Sequence, residues 1–362
     1  MMHAVFDIAA GVVAAYCVLV VGYLLVVTLA ALFPRASPED AHAGAPTCAV
    51  LIPAHDEAGQ IEQTVARVFQ SEYPRERYAV FVIADNCTDN TAQRARDAGA
   101  VAVERDEPLA RGKGQALDWC LKEHPEIAAR HDVVVIIDAD SLVAPTFLAH
   151  MAAGVSQPGV AAAQSNNLVE NPLDTWRTGL TAIGFALVNH VRPEGLQRLR
   201  ASVGLKGNGM AFRSDVLARY GWPAHSIAED VEFGMRLTLD GHRTVYACDA
   251  RITSNMPTAR ANASAQRRRW ELGRLNVARR YIWQLAKGLV LGRDARCLGP
   301  LMELMTPPLS MLVLVQMAGL VAGLIAQSGW AYVFALCLTG TALHITLGIR
   351  ISPLPRKIWL AL

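Results

Sequence analysis

Five consecutive β-branched residues, Val133 to Ile137, run directly into two aspartates, Asp138 and Asp140, with one alanine between them. An unbroken apolar run of this kind marks a strand covered on both faces, which implies a parallel sheet with helices on either side. Such sheets bind ligands outside the carboxyl ends of their strands, where this acidic pair falls. Two carboxylates at i and i+2 can coordinate one hard divalent cation, and that cation can hold a diphosphate. The plainer alternative is a strand followed by an Asx turn, with both side chains capping backbone amides.

The stretches before it repeat the arrangement. CAVLIPAHDE reads as a short buried strand with a polar end, and Gln60 to Gln70 has helical spacing with Ile61, Val65 and Val68 on one face. Tyr78 to Ala84 is a second strand, ending in Asp85 to Asp89 and followed by a helix through Ala98; Val101 to Glu104 is a third. A loop with Arg111, Gly112, Lys113 and Gly114 precedes a helix from Gln115 to Glu123. Strands alternating with helices in this way predict an α/β domain with a parallel, doubly wound sheet whose polar strand ends converge on one cleft. Beyond it the pattern loosens into short helices and mixed strands. There Gly207, Asn208 and Gly209 offer a backbone that a ligand can approach closely, or equally a hairpin. Glu229 and Asp230 open a helix whose apolar face is Val231, Phe233, Met235 and Leu237; such a pair also suits a helix N-terminus on electrostatic grounds alone.

The flanks are of another kind. With 52% hydrophobic residues among 362 and a positive mean hydropathy, the chain is too apolar for one ordinary soluble domain. Residues 1–34 are almost wholly apolar and exceed the roughly 20 residues that a membrane-spanning helix needs. Met1 to Ala10 has no Lys or Arg, which argues for a retained anchor rather than a secretory signal. Arg35 follows the segment, placing what comes next in the cytoplasm, and 35–46 is a polar linker. A domain over 47–293 ends in a basic amphipathic helix, 265–290, suited to anionic lipid. Residues 294–362 form a second membrane region with spans at about 308–327 and 331–349; Arg350, Arg356 and Lys357 after it agree with that orientation, and Ile358 to Leu362 can begin another span. The net charge of +2 argues for neither nucleic acid nor an acidic partner. Seven dispersed cysteines without a C-x-x-C pair read as reduced thiols.

Five motifs in order, VLIPAHDE, ADNCTD, the Asp138–Asp140 pair, AED at 228–230 and QRRRW at 266–270, make the chain resemble the family 2 glycosyltransferases, in the branch of exopolysaccharide, cellulose, hyaluronan and poly-N-acetylglucosamine synthases. The resemblance covers about Cys48 to Arg280 and the flanking spans. It implies a membrane-anchored inverting enzyme with a GT-A, Rossmann-like nucleotide-sugar-binding domain in the cytoplasm, in a multi-pass protein of the inner membrane. Carried over by position, it implies that Pro53, Ala54, His55 and Glu57 surround the uridine and ribose, with Asp85 on the uracil side and Lys113 near the nucleotide. It makes Asp138 and Asp140 the ligands of Mg2+ or Mn2+ on the diphosphate, Asp140 the surer. It makes Asp230 the general base, with Glu229 beside it. Gln266, Arg269 and Trp270 fall at the diphosphate and acceptor sugar, together with Gly207 and Asn208. Ala228 replaces a frequent Thr, and Asn86 and Cys87 a frequent Gly-Ser.

The chemistry agrees with those roles. Charge developing on the leaving diphosphate is stabilised by a divalent cation and a guanidinium. An acceptor hydroxyl needs one carboxylate to take its proton. An indole face suits a pyranose. The expected partners are a UDP-sugar, with UDP-glucose and UDP-N-acetylglucosamine the leading donors, a lipid-linked or saccharide acceptor, and membrane lipids. Two spans after the domain, fewer than the large polymer synthases use, favour transfer of one or a few sugars. Nucleotidyl transfer is the competing enzymatic reading, although PAHDE offers no Gly-rich phosphate loop; a non-catalytic membrane receptor for a nucleotide-sugar is the other alternative.

Overall fold

The computed structural model of the chain describes residues 2–34, 44–222, 226, 228–258 and 260–361. The N-terminal apolar segment is one helix, α1 (Met2–Ala31), and 35–43 of the expected linker lie outside the described residues. Then come β1 (Cys48–Ala54), α2 (Ile61–Phe69), β2 (Tyr78–Asp85), α3 (Thr91–Asp97), β3 (Val101–Arg105), α4 (Lys113–Glu123), α5 (Pro125–Ala129) and β4 (Val133–Ile136). These strands are parallel in the order β3-β2-β1-β4, with Cys48 opposite Tyr78 on one side and Val133 on the other. Their carboxyl ends therefore finish side by side. Helix α4 begins two residues earlier than its periodicity suggests, which puts Lys113 on its first turn instead of in a loop.

The second half comprises β5 (Ser141–Val143), α6 (Phe147–Val155), β6 (Val160–Val169), α7 (Trp176–Ala186), α8 (Arg192–Arg198), β7 (Met210–Arg213), α9 (Ser214–Tyr220), α10 (Glu229–Leu239) and β8 (Arg243–Ser254). It completes an eight-stranded sheet, β3-β2-β1-β4-β7-β6-β8-β5, in which β7 runs antiparallel to both neighbours. The sheet is thus mixed: all-parallel over β3-β2-β1-β4, and in its second half parallel only between β6 and β8. The strand from Val133 ends before the aspartates, as its pattern suggests, and a second short strand after them, Ser141–Val143, leaves to pair with β8 at the far edge.

Val133, Val135 and Ile137 enter one core with Phe147, Met151 and Ile252, while Val134 and Ile136 enter another with Leu117, Phe212, Trp222 and Phe233. The β-branched run is covered on both faces because successive side chains point to opposite sides. Each such buried side chain contributes about 1.5–3 kcal/mol. Helix α10 is itself enclosed: Phe233 and Leu237 pack towards the sheet, Met235 and Val231 towards the following helix, so its apolar residues surround it instead of forming one stripe.

That helix, α11 (Arg260–Val290), is longer than expected, and α12 (Leu298–Met305), α13 (Leu309–Ile325) and α14 (Trp330–Ile351) follow it. Helices α1, α13 and α14 join through Cys17, Leu24, Leu312 and Phe334. Among the described residues, two helices, Asp7–Ala31 and Trp330–Ile351, are long and apolar enough to cross a membrane; the α12–α13 pair, bent by 71°, makes a third if it is one span. The C-terminal residues expected to begin another span instead form a short 3-10 helix, Arg356–Ala361, with Ile358 buried beside Ala182 and Ile183.

Candidate active site

Four chain segments meet at the carboxyl ends of β1, β2 and β4. From the first turn of α4, Lys113 donates to Oδ1 of Asp138 at 2.5 Å and also to the carbonyl of Gly207. Gly207 has φ 87°, a left-handed conformation that glycine adopts freely. A Cβ there would lie 2.7 Å from Oδ2 of Asp230, so that carboxylate rests directly against the glycine backbone. Asn208 braces the aspartate turn: its Oδ1 accepts from the Asp138 amide at 3.1 Å, and its Nδ2 donates to Ser141 at 2.8 Å and Ser254 at 3.2 Å. Its side chain is committed to the scaffold. From α2, Thr64 donates to the Ala139 carbonyl at 2.7 Å and fixes the turn from the other side.

The charges are unbalanced. Burial, then the charge of Asp230, pushes Glu229 up to about 7. Burial raises Asp230 as well, against the opposing pull of Lys113. Asp140 is raised by burial and by Asp138, and Glu57 by burial and by Asp140, Asp89 and Asp138. Burial works to lower Lys113, yet Asp138, Asp230 and Glu229 together hold it above its ordinary value. Several carboxylates thus share a single ammonium, and their hard oxygen atoms suit Mg2+ or Mn2+. Asp140, raised by burial and by the nearby charge of Asp138, forms with it a carboxylate pair of the chemistry such an ion takes.

The first two motifs form the adjoining wall. His55 donates from Nδ1 to the Asp85 carbonyl at 2.7 Å. Asp85 is a buried side chain whose Oδ1 accepts from Arg105 at 2.5 Å and from Asn86 at 2.7 Å. Arg105, only 3% exposed, also reaches Glu107 at 2.8 Å. Sequence reasoning missed it; the one available signal was a cation closing the apolar alternation of β3. Pro53 and Ala54 end β1 opposite Ile83 and Ala84, and the Glu57 amide donates to Thr91 at 2.8 Å. His55, Asp56 and Cys87 have ligand atoms within 4.8 Å of one another, but Asp56 already accepts from the Thr88 amide at 2.6 Å and from the Asp89 amide at 3.3 Å, which makes it a loop brace.

Gln266, Arg269 and Trp270 are placed differently. On α11, Gln266 is half-buried and Arg269 and Trp270 are exposed, with the Trp270 ring 5.7 Å from Phe185 of α7. Side chains 260–265 and 267 lie outside the described residues. What ties α11 to the acidic cleft is Glu232, two residues after Asp230, which accepts from Arg280 at 2.7 Å and Tyr281 at 3.1 Å. An open cavity of about 640 Å³, lined in part by His131, Asp132, Arg213 and Asp215, lies at the amino end of β4, opposite the carboxylates and away from the usual ligand side of such sheets.

Residues 45–273, more than half of the chain, match the family model described as glycosyltransferase like family 2. A β-monoglucosyldiacylglycerol synthase of Nostoc sp. is 27% identical over 223 residues, covering 57% of this chain and 44% of that protein. The cellulose synthase catalytic subunit of Komagataeibacter sucrofermentans is 25% identical over 259 residues, 68% of this chain and 33% of its own length. The chain thus spans about half the length or less of these two curated relatives. A mannosyltransferase from Pyrobaculum calidifontis, solved with GDP-Man and Mn2+, superposes with a TM-score of 0.58 at 20% identity over 94% of this chain and 97% of that one. That likeness shows a shared fold, and the expected GT-A architecture is borne out.

Proposed function

This chain belongs to glycosyltransferase-like family 2, and on that footing we propose that it transfers a sugar from a UDP-sugar, with inversion, to a lipid-linked or growing saccharide acceptor in glycolipid or exopolysaccharide assembly. The observation that carries the reading is the meeting of Lys113 and Asp138 with the raised carboxylates of Glu229 and Asp230 in one cleft. Relatives named for a glycolipid and for a polysaccharide support the acceptor class. Residues 1–34 and 294–362 serve as membrane regions of the inner membrane, and 47–293 as the cytoplasmic catalytic domain.

The wall made by Pro53, Ala54, His55, Glu57 and Asp85 receives the uridine and ribose, with Arg105 holding the Asp85 side chain in place. Lys113 pairs with the diphosphate and exchanges Asp138 for phosphate oxygen as the donor enters. Asp140 and Asp138 would hold Mg2+ or Mn2+, which would supply charge neutralisation for the leaving diphosphate. Asp230, with its carboxylate fixed against Gly207, takes the proton of the acceptor hydroxyl, and its raised proton affinity suits a base. Glu229 stands beside it, its own proton affinity raised by burial and by the charge of Asp230. Gln266 and Arg269 meet the diphosphate, and Trp270 the acceptor sugar, from α11.

UDP release from a panel of UDP-sugars, with Mg2+ or Mn2+ and membrane extract, tests the proposal. Metal-dependent release that disappears in Asp230→Asn supports it. Binding without release from any donor would point to a receptor.

A further inference from the structure

Between Arg200 and Gly207 the chain runs along the back of the cleft, and a helix outside the family match lies against it. Gly299 on α12 has no side chain to spare: a Cβ there would be 2.5 Å from the Ser202 carbonyl, so helix and segment touch backbone to backbone. One turn further on, Glu303 accepts from Lys206 at 2.7 Å. Glu303 is 8% exposed and is held from the membrane side as well, accepting from Tyr23 of α1 at 2.9 Å, with Arg192 of α8 3.8 Å away. Arg274 of α11 binds the Glu303 carbonyl at 2.5 Å and the Thr306 carbonyl, fixing the end of α12. On the cleft side, the Lys206 amide donates to Gln164 at 2.7 Å, Leu205 packs on Gly234 of α10, and the next two residues are Gly207, which holds Lys113, and Asn208, which holds Asp138.

We propose that Glu303, acting through Lys206, is a positioning residue that sets the geometry of the cleft from the membrane-side helices. The pair clamps segment 202–207 between α12 and α10, and so fixes the distance between the Asp230 carboxylate and the Lys113–Asp138 pair. A buried ion pair suits this use: it adds little net stability, but it is satisfied in one geometry only. Small misplacements of reacting groups are expensive in rate, roughly 100-fold for 1 Å. Docking of α1 and α12 is thereby coupled to turnover, while the nucleotide wall on β1 and β2, far from this contact in the sheet order, is left unaltered.

The inference rests on reading the cleft as the transfer site. The experiment uses the full chain in nanodiscs, with Lys206→Met, Lys206→Arg, Glu303→Gln and the Lys206→Met/Glu303→Gln double variant. Donor kcat and KM, Mn2+ binding by electron paramagnetic resonance and Tm are measured for each. The expected result is a fall of about tenfold or more in kcat for Lys206→Met, with donor KM and Mn2+ affinity within about twofold. Lys206→Arg should recover most of the rate, and the double variant should be no slower than the slower single variant. A Lys206→Met kcat within about twofold of wild type, or a loss that follows Tm and Mn2+ affinity together, would overturn the clamp. Should Glu303→Gln fail to fold, the two Lys206 variants still decide. If the wild-type protein turns over no nucleotide-sugar, the proposed function fails instead. Hydrogen exchange over 202–208 then decides the clamp: faster exchange in Lys206→Met supports it, and unchanged exchange overturns it.

Discussion

Lys113 holds its ammonium 2.5 Å from Oδ1 of Asp138, so a monovalent cation already lies at the turn that is proposed to hold a divalent one. In that proposal the two cations would share a carboxylate, and an incoming diphosphate would give the ammonium a new partner. Lys113→Met is therefore expected to leave Mn2+ binding in the absence of nucleotide unchanged or tighter. UDP binding should weaken by about tenfold or more, since a hydrogen bond to a charged group contributes about 1.5–3 kcal/mol. Isothermal titration with Mn2+ alone and then with UDP separates the two effects; weaker metal binding would contradict the shared-carboxylate account.

Asp140→Asn and Asp230→Asn should fail in different ways. The first removes a proposed metal ligand, and the Mn2+ paramagnetic signal of the bound ion should be lost at concentrations that saturate the wild type. The second should retain Mn2+ and UDP but slow transfer by about 10²–10⁴-fold, the usual contribution of a positioned base. Wild-type turnover in Asp230→Asn would remove it from the mechanism.

Glu229 is raised from 4.5 to about 7, and the sign of its linkage to stability follows. Between those values the folded protein holds a proton that the unfolded chain has lost, so this group's contribution is fully present below pH 4.5 and is lost as pH rises through 7. Activity should run the opposite way and climb as the adjacent carboxylates ionise. Glu229→Gln is expected to flatten the fall in Tm across this window and to shift the acid limb of the rate profile downwards. Parallel pH profiles for the two proteins would show that Glu229 does not titrate there.

At Gly207 a side chain is opposed twice, by φ of 87° and by Asp230 Oδ2 at 2.7 Å from any Cβ. Gly207→Ala should cost about 1–3 kcal/mol in stability, as expected for a residue held in a left-handed conformation. It should cost more in kcat than in Tm, because the displaced group is the proposed base. A variant with normal kcat would mean that the carboxylate can move without consequence.

Arg105 and Asp85 form a buried pair, and removing one member leaves the other charge uncompensated. Arg105→Met should be destabilising by about 3–5 kcal/mol, whereas Arg105→Met with Asp85→Leu should recover part of that loss. Denaturant midpoints of the two single variants and the double measure the coupling; additive losses would argue against a specific pair.

Much of this protein could be read directly from residue order. The run Val133 to Ile137 required a strand buried on both sides, and the alternation of strands and helices before it required parallel neighbours, because both are properties of local periodicity. The motifs carrying Asp85, Asp138, Asp140, Glu229 and Asp230 were visible because each follows a strand or opens a helix. Other features depended on residues distant in sequence. The break after Ile137 that sends Ser141–Val143 to the far edge of the sheet depends on pairing with β8, more than a hundred positions away. Arg105 acquires its buried partner only because β3 lies beside β2. Asn208 looked like a ligand contact, but its amide is spent on Asp138, Ser141 and Ser254. Lys206 and Glu303, 97 positions apart, had no local signature at all, since an ion pair across packed helices leaves no period in the chain. Local periodicity thus specified the elements and the chemistry they carry, whereas packing between distant segments assigned each charge its partner.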